Sequence, residues 1–351
     1  SRLELSQWYL VGLSCLCLSY LQPIFTAILL SFLLVLYWAG RAMAARHTRS
    51  LGLIISALTL SIGGLAAVKY GKPALFTLFA DYGALAFALP LGISYFVIRL
   101  VDVQLRWFRG DMSDLGIREY LCYILFPPTV PAGPIETIDG FRAKRLERIR
   151  KHDIAYGLSR TVLGVAKKVL IADLILAPLL LEPESGLFHR VTLDPGAATG
   201  MEVVTFLVAS FLFAYVDFSA YSDMAIGVSR LFGYRIRENF NLPIFAENLT
   251  EFWRRWHMSL AGWCMRNIYF TMLVSTRNSF IPLFLTMLAV GLWHELSLSW
   301  YTWGLYHATG LSILTWWGQR KALAPPGWWI HYAKPLRILI TGLFVAGGFS
   351  F

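Results

Sequence analysis

The sequence predicts an all-α, polytopic integral membrane protein, and three observations carry that expectation. Hydrophobic residues make up 57% of the 351 positions and charged residues only 15%, whereas a soluble domain carries about 25% charged residues. Mean hydropathy is +0.57. Apolar runs recur near residues 7–38, 51–68, 74–98, 155–181, 199–216, 280–293, 298–317 and 336–351, each bounded by charges, Gly or Pro. Roughly 20 apolar residues cross a hydrocarbon core of about 30 Å. Backbone in lipid must bond internally, which leaves helices or a closed barrel, and long runs without period-two alternation exclude the barrel.

The first run, within Ser1 to Leu36, has no basic segment ahead of it, so no cleavable signal is expected and the spans themselves must set localisation. Arg41, Arg46 and Arg49 follow this run, and Arg99, Arg106, Arg109 and Arg118 follow the third. The densest patch is Arg142, Lys144, Arg145, Arg148, Arg150 and Lys151. Such clusters between apolar runs mark cytoplasmic loops, so the net charge of +10 reports topology and does not point to nucleic acid. Between residues 182 and 196, Glu182, Glu184 and Asp194 face a single Arg190, which predicts an outside loop.

Two stretches do not read as ordinary spans. Phe126 to Ile135 is apolar but holds Pro127, Pro128, Pro131 and Pro134, which cannot sit in an uninterrupted helix. With basic clusters on both sides, it is expected to enter and return on the cytoplasmic side, as a re-entrant segment. Tyr215 to Arg255 mixes Asp217, Asp223, Arg230, Asn239, Asn241 and Asn248 with aromatics, and is expected to form short helices walling a cavity. No internal repeat is visible, so the usual sign of an inverted-repeat transporter is lacking. The cysteines, Cys15, Cys17, Cys122 and Cys264, lie in or beside apolar segments without a CxxC pair and read as small buried hydrophobes.

His294, in Gly291-Leu-Trp-His-Glu295, ends an apolar run that begins near Phe280. An ionisable group at that depth is costly and marks either a functional site or a buried pair. An imidazole, whose ordinary pKa of about 6.5 is close to neutrality, can take a proton from a hydroxyl, so His294 is a candidate general base; a packing histidine is the competing reading. His257 lies in an amphipathic segment where Phe252, Trp256 and Leu260 share one face, and on its own reads as interfacial. His307 reads as structural. No histidine pair has the i, i+4 spacing of a helical zinc site, and HExxH, P-loop, GxSxG and GxGxxG patterns do not occur. No metal and no bound cofactor are therefore expected.

Three strings carry a family resemblance: Tyr215-Val-Asp-Phe-Ser-Ala-Tyr-Ser-Asp-Met-Ala-Ile-Gly227, Glu238-Asn-Phe-Asn-Leu-Pro243 and Glu251-Phe-Trp-Arg-Arg-Trp-His-Met-Ser-Leu260. With Gly291-Leu-Trp-His294, Trp303-Gly-Leu-Tyr-His307, Phe126 and Ala132-Gly-Pro-Ile135, they resemble the bacterial branch of the membrane-bound O-acyltransferases (MBOAT) over roughly residues 119–320. The similar proteins are those of alginate and cellulose O-acetylation and teichoic-acid D-alanylation. The resemblance implies a helical disc around a tunnel or funnel, with His294 at the active-site histidine position and His257 at the second polar position. It divides the chain into N-terminal transmembrane helices (1–118), a catalytic core (119–320) and a C-terminal transmembrane segment (321–351) of one structural unit. Trp263 to Tyr269 departs from the family's pattern, with Asn267 where relatives carry Asp, and His257 and His294 lie closer in sequence than in the alginate type. These departures bear on the acceptor more than on the reaction.

The function so implied is acyl transfer, with acetyl favoured, in the bacterial inner membrane. The donor would be acetyl-CoA or an acyl carrier protein arriving at the cytoplasmic face, where residues 142–151 could meet phosphates or an acidic helix. The acceptor would be an exported polysaccharide, reached directly or through an extracytoplasmic transferase partner. Tyr221, Ser222, Asp223, Asn239, Asn241 and Trp293 are the candidate substrate-binding residues, although each of the polar ones fits equally a role in holding helices together. D-alanyl transfer from a carrier protein is the rival within the class; a transporter and a non-catalytic assembly subunit are the rivals outside it.

Overall fold

The structure, a computed structural model, describes residues 2–21, 23–45, 50–70, 92–112, 114–183, 185–193, 196, 198–320 and 332–350. The chain divides into two compact units, Ser1–Ile149 with Phe232–Ile236, and Arg150–Leu231 with Arg237–Phe351. Among the described residues all regular structure is helical, with one isolated bridge between Arg145 and Tyr234. The all-α expectation is met.

The first unit holds α1 (Arg2–Leu21), α2 (Pro23–Ala45), α3 (Leu51–Tyr70), α4 (Ile93–Arg109), α5 (Ile117–Ile124) and α6 (Ile138–Ala143). The apolar run at 7–38 is thus two helices, not one. Pro23 explains the division, because proline lacks the N–H that would extend α1 and suits the first turn of a new helix. The run at 74–98 lies largely outside the described residues, as do Arg46, Arg49, Glu184, Asp194 and residues 321–331. In the core, Tyr37, Trp107 and Tyr120 meet with ring centroids 5.3–5.9 Å apart, above the fully buried Leu33, Leu36 and Leu100.

The four-proline segment forms a short 3-10 turn, Pro127–Thr129, and then irregular backbone. Irregular backbone leaves carbonyls without helical partners, and buried carbonyls need donors. Arg99 supplies them. Grouped by sequence with the loop arginines, it is instead only 2% exposed on α4 and donates to the carbonyls of Ile124 at 2.9 Å and Thr129 at 2.6 Å. A guanidinium, with five donors in a fixed fork, can satisfy several carbonyls at once.

In the second unit α7 (Lys151–Ala166) continues into a π-helical stretch, Lys167–Leu176, and ends in α8 (Ala177–Leu181). After it come α9 (Gly200–Leu231), α10 (Leu249–Arg255), α11 (Met258–Cys264), α12 (Phe270–Thr276), α13 (Phe280–His294), α14 (Leu298–Gly318) and α15 (Lys334–Gly347). Tyr215 does not open a region of short helices as expected: α9 runs unbroken for 32 residues, and its C-terminal half carries the polar motif residues. Helices α7 and α9 approach closely through small residues, as helices in lipid do. A Cβ on Gly227 would lie 2.6 Å from the Gly157 carbonyl, and one on Gly164 would lie 2.6 Å from the Ala220 carbonyl.

Among the described residues, two helices are long and apolar enough to cross a membrane unaided, α2 over Phe25–Ala44 and α9. Shorter apolar helices cover Leu51–Gly64 and Phe280–His294. The 15 residues of α13 extend about 22 Å at 1.5 Å per residue, less than the hydrocarbon thickness of about 30 Å.

Candidate active site

His294 is the last residue of α13, and Ser297 caps the next helix by accepting from the Trp300 N–H at 3.3 Å. The three-residue turn returns the chain so that the His294 imidazole stacks on Trp300, with centroids 4.4 Å apart and planes at 14°. Trp293 meets the same imidazole edge-on at 4.8 Å. Gly291 makes the fold-back possible, since a Cβ there would collide with the Trp300 carbonyl. His294 is half-buried.

His257 forms the corner between α10 and α11, with φ of 42°. Left-handed backbone costs energy for any residue with a Cβ, and histidine is among those that adopt it more often; such positions concentrate at functional sites. Its ring is 4% exposed, meets Phe218 edge-on at 4.7 Å and lies 6.4 Å from Trp293. Neither ring nitrogen has a hydrogen-bond partner. Buried polar atoms are ordinarily paired, so these two nitrogens are available to something that enters the site.

The two histidines line one cavity of about 400 Å³, together with Asp217, Trp253, Trp303 and His307. A second cavity of about 450 Å³, walled mostly by apolar side chains of α11 and α13, shares His257, Trp253, Leu260 and Val290 with the first. His257 therefore stands in the wall between two chambers, and His294 opens into one of them. An imidazole so placed can accept or deliver a proton, and the Trp253 Nε1–H, which has no acceptor, is a donor of the kind that steadies a developing oxyanion.

The remaining candidates separate. Ser222, Asp223 and Asn241 line a smaller polar cavity of about 150 Å³, with Arg160, Lys167 and Glu238. Asp223 accepts from Arg160 and from Lys167, each at 2.7 Å, and Arg160 also reaches Glu238 at 2.6 Å. Asn239, wholly buried, donates to the Ser222 hydroxyl at 3.1 Å and accepts from the Ser259 hydroxyl at 2.6 Å. Its carbonyl accepts from Met258 N at 2.9 Å. Asn239 thereby ties α9 to the residue that follows His257. Tyr221 is half-buried on α9 and lines none of these three cavities, while Trp293 touches both histidines.

Sequence reasoning passed over Lys167 and Lys168, while Asp217 lies in the stretch expected to wall a cavity and does so. Lys168 binds Asp217 and Asp173, each at 2.7 Å, and Asp217 lines the histidine cavity. The legible signal was the set Arg160, Lys167 and Lys168 inside an apolar run, since cations at that depth require carboxylates facing them. Two adjacent lysines both reach α9 where the helix widens into its π-helical stretch. His307, read as structural, is 1% exposed and lines the same cavity as His257 and His294, with Trp303 at 4.6 Å.

A sequence profile of the membrane-bound O-acyltransferase family matches residues 20–346. The chain is 32% identical over 289 residues to "Probable alginate O-acetylase AlgI" of Pseudomonas aeruginosa, covering 76% of this chain and 53% of that protein. It is 29% identical over 234 residues to "Teichoic acid D-alanyltransferase" of Streptococcus thermophilus, covering 60% of this chain and 52% of that protein. With "Peptidoglycan O-acetyltransferase" of Helicobacter pylori it shares 31% identity over 200 residues, 53% of this chain and 35% of that one. The chain spans about half the length of the curated relatives it matches. With the profile running through both histidines and across most of the sequence, the chain belongs to the membrane-bound O-acyltransferase family.

Proposed function

We propose that this protein is an O-acyltransferase of the bacterial inner membrane, crossing it several times, which moves an acyl group, acetyl in the favoured case, from a cytoplasmic donor toward an exported cell-envelope polysaccharide. The observation that carries the reading is the pair of histidines, one from the corner between α10 and α11 and one from the end of α13, on one cavity, with His257 shared by a second chamber. That arrangement supports a passage in which donor and acceptor approach the imidazoles from different sides. The four-proline segment is proposed to enter and return on the cytoplasmic side.

In the proposed reaction the acceptor hydroxyl attacks the carbonyl carbon of the thioester. His294 takes the hydroxyl proton as the new C–O bond forms, the tetrahedral oxyanion is met by an N–H donor such as that of Trp253, and the C–S bond breaks. The thiolate leaves with the proton from His294. His257 holds the second polar position, and Ser222, Asp223 and Asn241 bind substrate along the polar cavity. The donor is acetyl-CoA or an acylated carrier protein, and the product leaves directly on the polymer or through an extracytoplasmic partner. Relatives named as acetylases and as D-alanyltransferases set the two arms of the test. Purified protein in nanodiscs is offered labelled acetyl-CoA and labelled D-alanyl carrier protein. Transfer from acetyl-CoA that is lost in a folded His294→Ala variant supports the reading. Transfer from the D-alanyl carrier alone moves the acyl group to D-alanine, and equal transfer by wild type and His294→Ala overturns it.

A further inference from the structure

The C-terminal half of α14 and α15 line a groove of about 430 Å³, in which Gly310 meets Phe344 and to which Trp317 and Arg337 also contribute. Its walls are almost wholly apolar, with Ile313, Leu314, Ile340 and Phe344 along its length. Ile313, Trp317 and Ile340 are exposed, as are Leu336, Leu339 and Leu343 on the same helix, so the groove opens onto a surface suited to lipid. From Gly310 to Trp317 it extends about 10 Å at the helical rise.

Its two ends differ. At one end Gly310 meets Leu249 and Phe344. The other end holds Arg337 paired with Glu247, Lys334 at 3.4 Å from the same carboxylate, and the exposed Arg320, whose guanidinium lies 4.0 Å above the Trp316 ring. Three cations against one carboxylate leave an excess of two positive charges, beside the exposed Trp316 and Trp317. Exposed tryptophans mark the depth of the headgroups, and basic side chains at that depth attract anionic lipid. We propose that this groove is a binding site for an anionic phospholipid, one acyl chain lying between α14 and α15 and the phosphate meeting Lys334 and Arg320. A zwitterionic lipid would fill the same apolar groove but gain nothing from the excess positive charge. The site shares no lining residue with the two cavities at the histidines or with the polar cavity at Asp223, and does not depend on the proposed reaction.

The test is native mass spectrometry of the full chain released from nanodiscs of equal phosphatidylglycerol and phosphatidylcholine. Two basic side chains at a headgroup give a preference of about thirtyfold, so the wild type is expected to retain one phosphatidylglycerol in roughly that excess. In Arg320→Gln/Lys334→Gln, where both replaced side chains are exposed, the bound lipid is expected to lose its headgroup preference. In Leu314→Trp, which fills the groove, retention of either lipid is expected to fall. Equal retention of the two lipids by the wild type, or a preference unchanged in the double variant, overturns the proposal; should Leu314→Trp not fold, the surface pair decides alone.

Discussion

Replacing Asn239 with alanine separates a residue that builds the site from one that binds substrate. The side chain is fully buried and makes two hydrogen bonds, to Ser222 on α9 and Ser259 on α11. A net hydrogen bond contributes about 1 kcal/mol in soluble proteins and about 0.6 kcal/mol between helices in lipid. Two of them therefore amount to roughly 1–2 kcal/mol. Removing the amide also leaves two buried hydroxyls with a lost partner, at about 1–3 kcal/mol for an unsatisfied group, though each hydroxyl can rotate and recover part of this. A loss of about 2 kcal/mol is expected, close to a thirtyfold change in the unfolding equilibrium. Titration with a denaturing detergent in mixed micelles, followed by tryptophan fluorescence, measures it. Ser222→Ala and Ser259→Ala should each cost about half as much, and the double variant should fall short of their sum because the two share one partner. Transfer activity should fall with stability, since the Asn239 carbonyl also holds Met258, next to His257. An Asn239→Ala protein that unfolds like the wild type but has lost activity would refute this reasoning and give the residue to the substrate.

Further outcomes follow from the same geometry. His294→Ala and His257→Ala should each lower acyl transfer by about 10²–10⁴-fold, the usual worth of a positioned acid or base, with unfolding midpoints near the wild type; rates from labelled donor and the detergent titration check both. Gly227→Leu drives a side chain against the Gly157 carbonyl and should prevent α7 and α9 from closing, read as loss of monodisperse protein on gel filtration, whereas Gly110→Ala, at a position with nothing within 4 Å but φ of 86°, should only weaken a helix end. Arg142 holds the Asp114 carboxyl below its ordinary range through a hydrogen bond. A depressed carboxyl stabilises the folded state above its unfolded pKa of about 4, and that contribution is lost as pH falls through the lower folded value. Arg142→Gln should therefore be less stable than wild type at pH 7, and the difference should shrink as pH falls through the lowered Asp114 value in a melting series.

Composition and run length alone determined that this chain is helical and built for lipid, because both properties are sums over local sequence. The strings around Ser222, Asn239 and His257, with Gly291 to His294, determined the family, and they did so through residue identities that need no coordinates. Tertiary structure decided which of those residues meet. His257 and His294 come to one cavity because α13 folds back on α14 over Gly291, and Asn239 proves to be a tie between helices because Ser222 and Ser259 approach it from opposite sides in sequence. Arg99, indistinguishable in sequence from a loop arginine, is buried because irregular backbone thirty residues later needs its donors. Hydropathy and periodicity register only neighbours along the chain, whereas cavities and buried ion pairs arise from contacts between residues far apart in it, and those are set by how the helices pack.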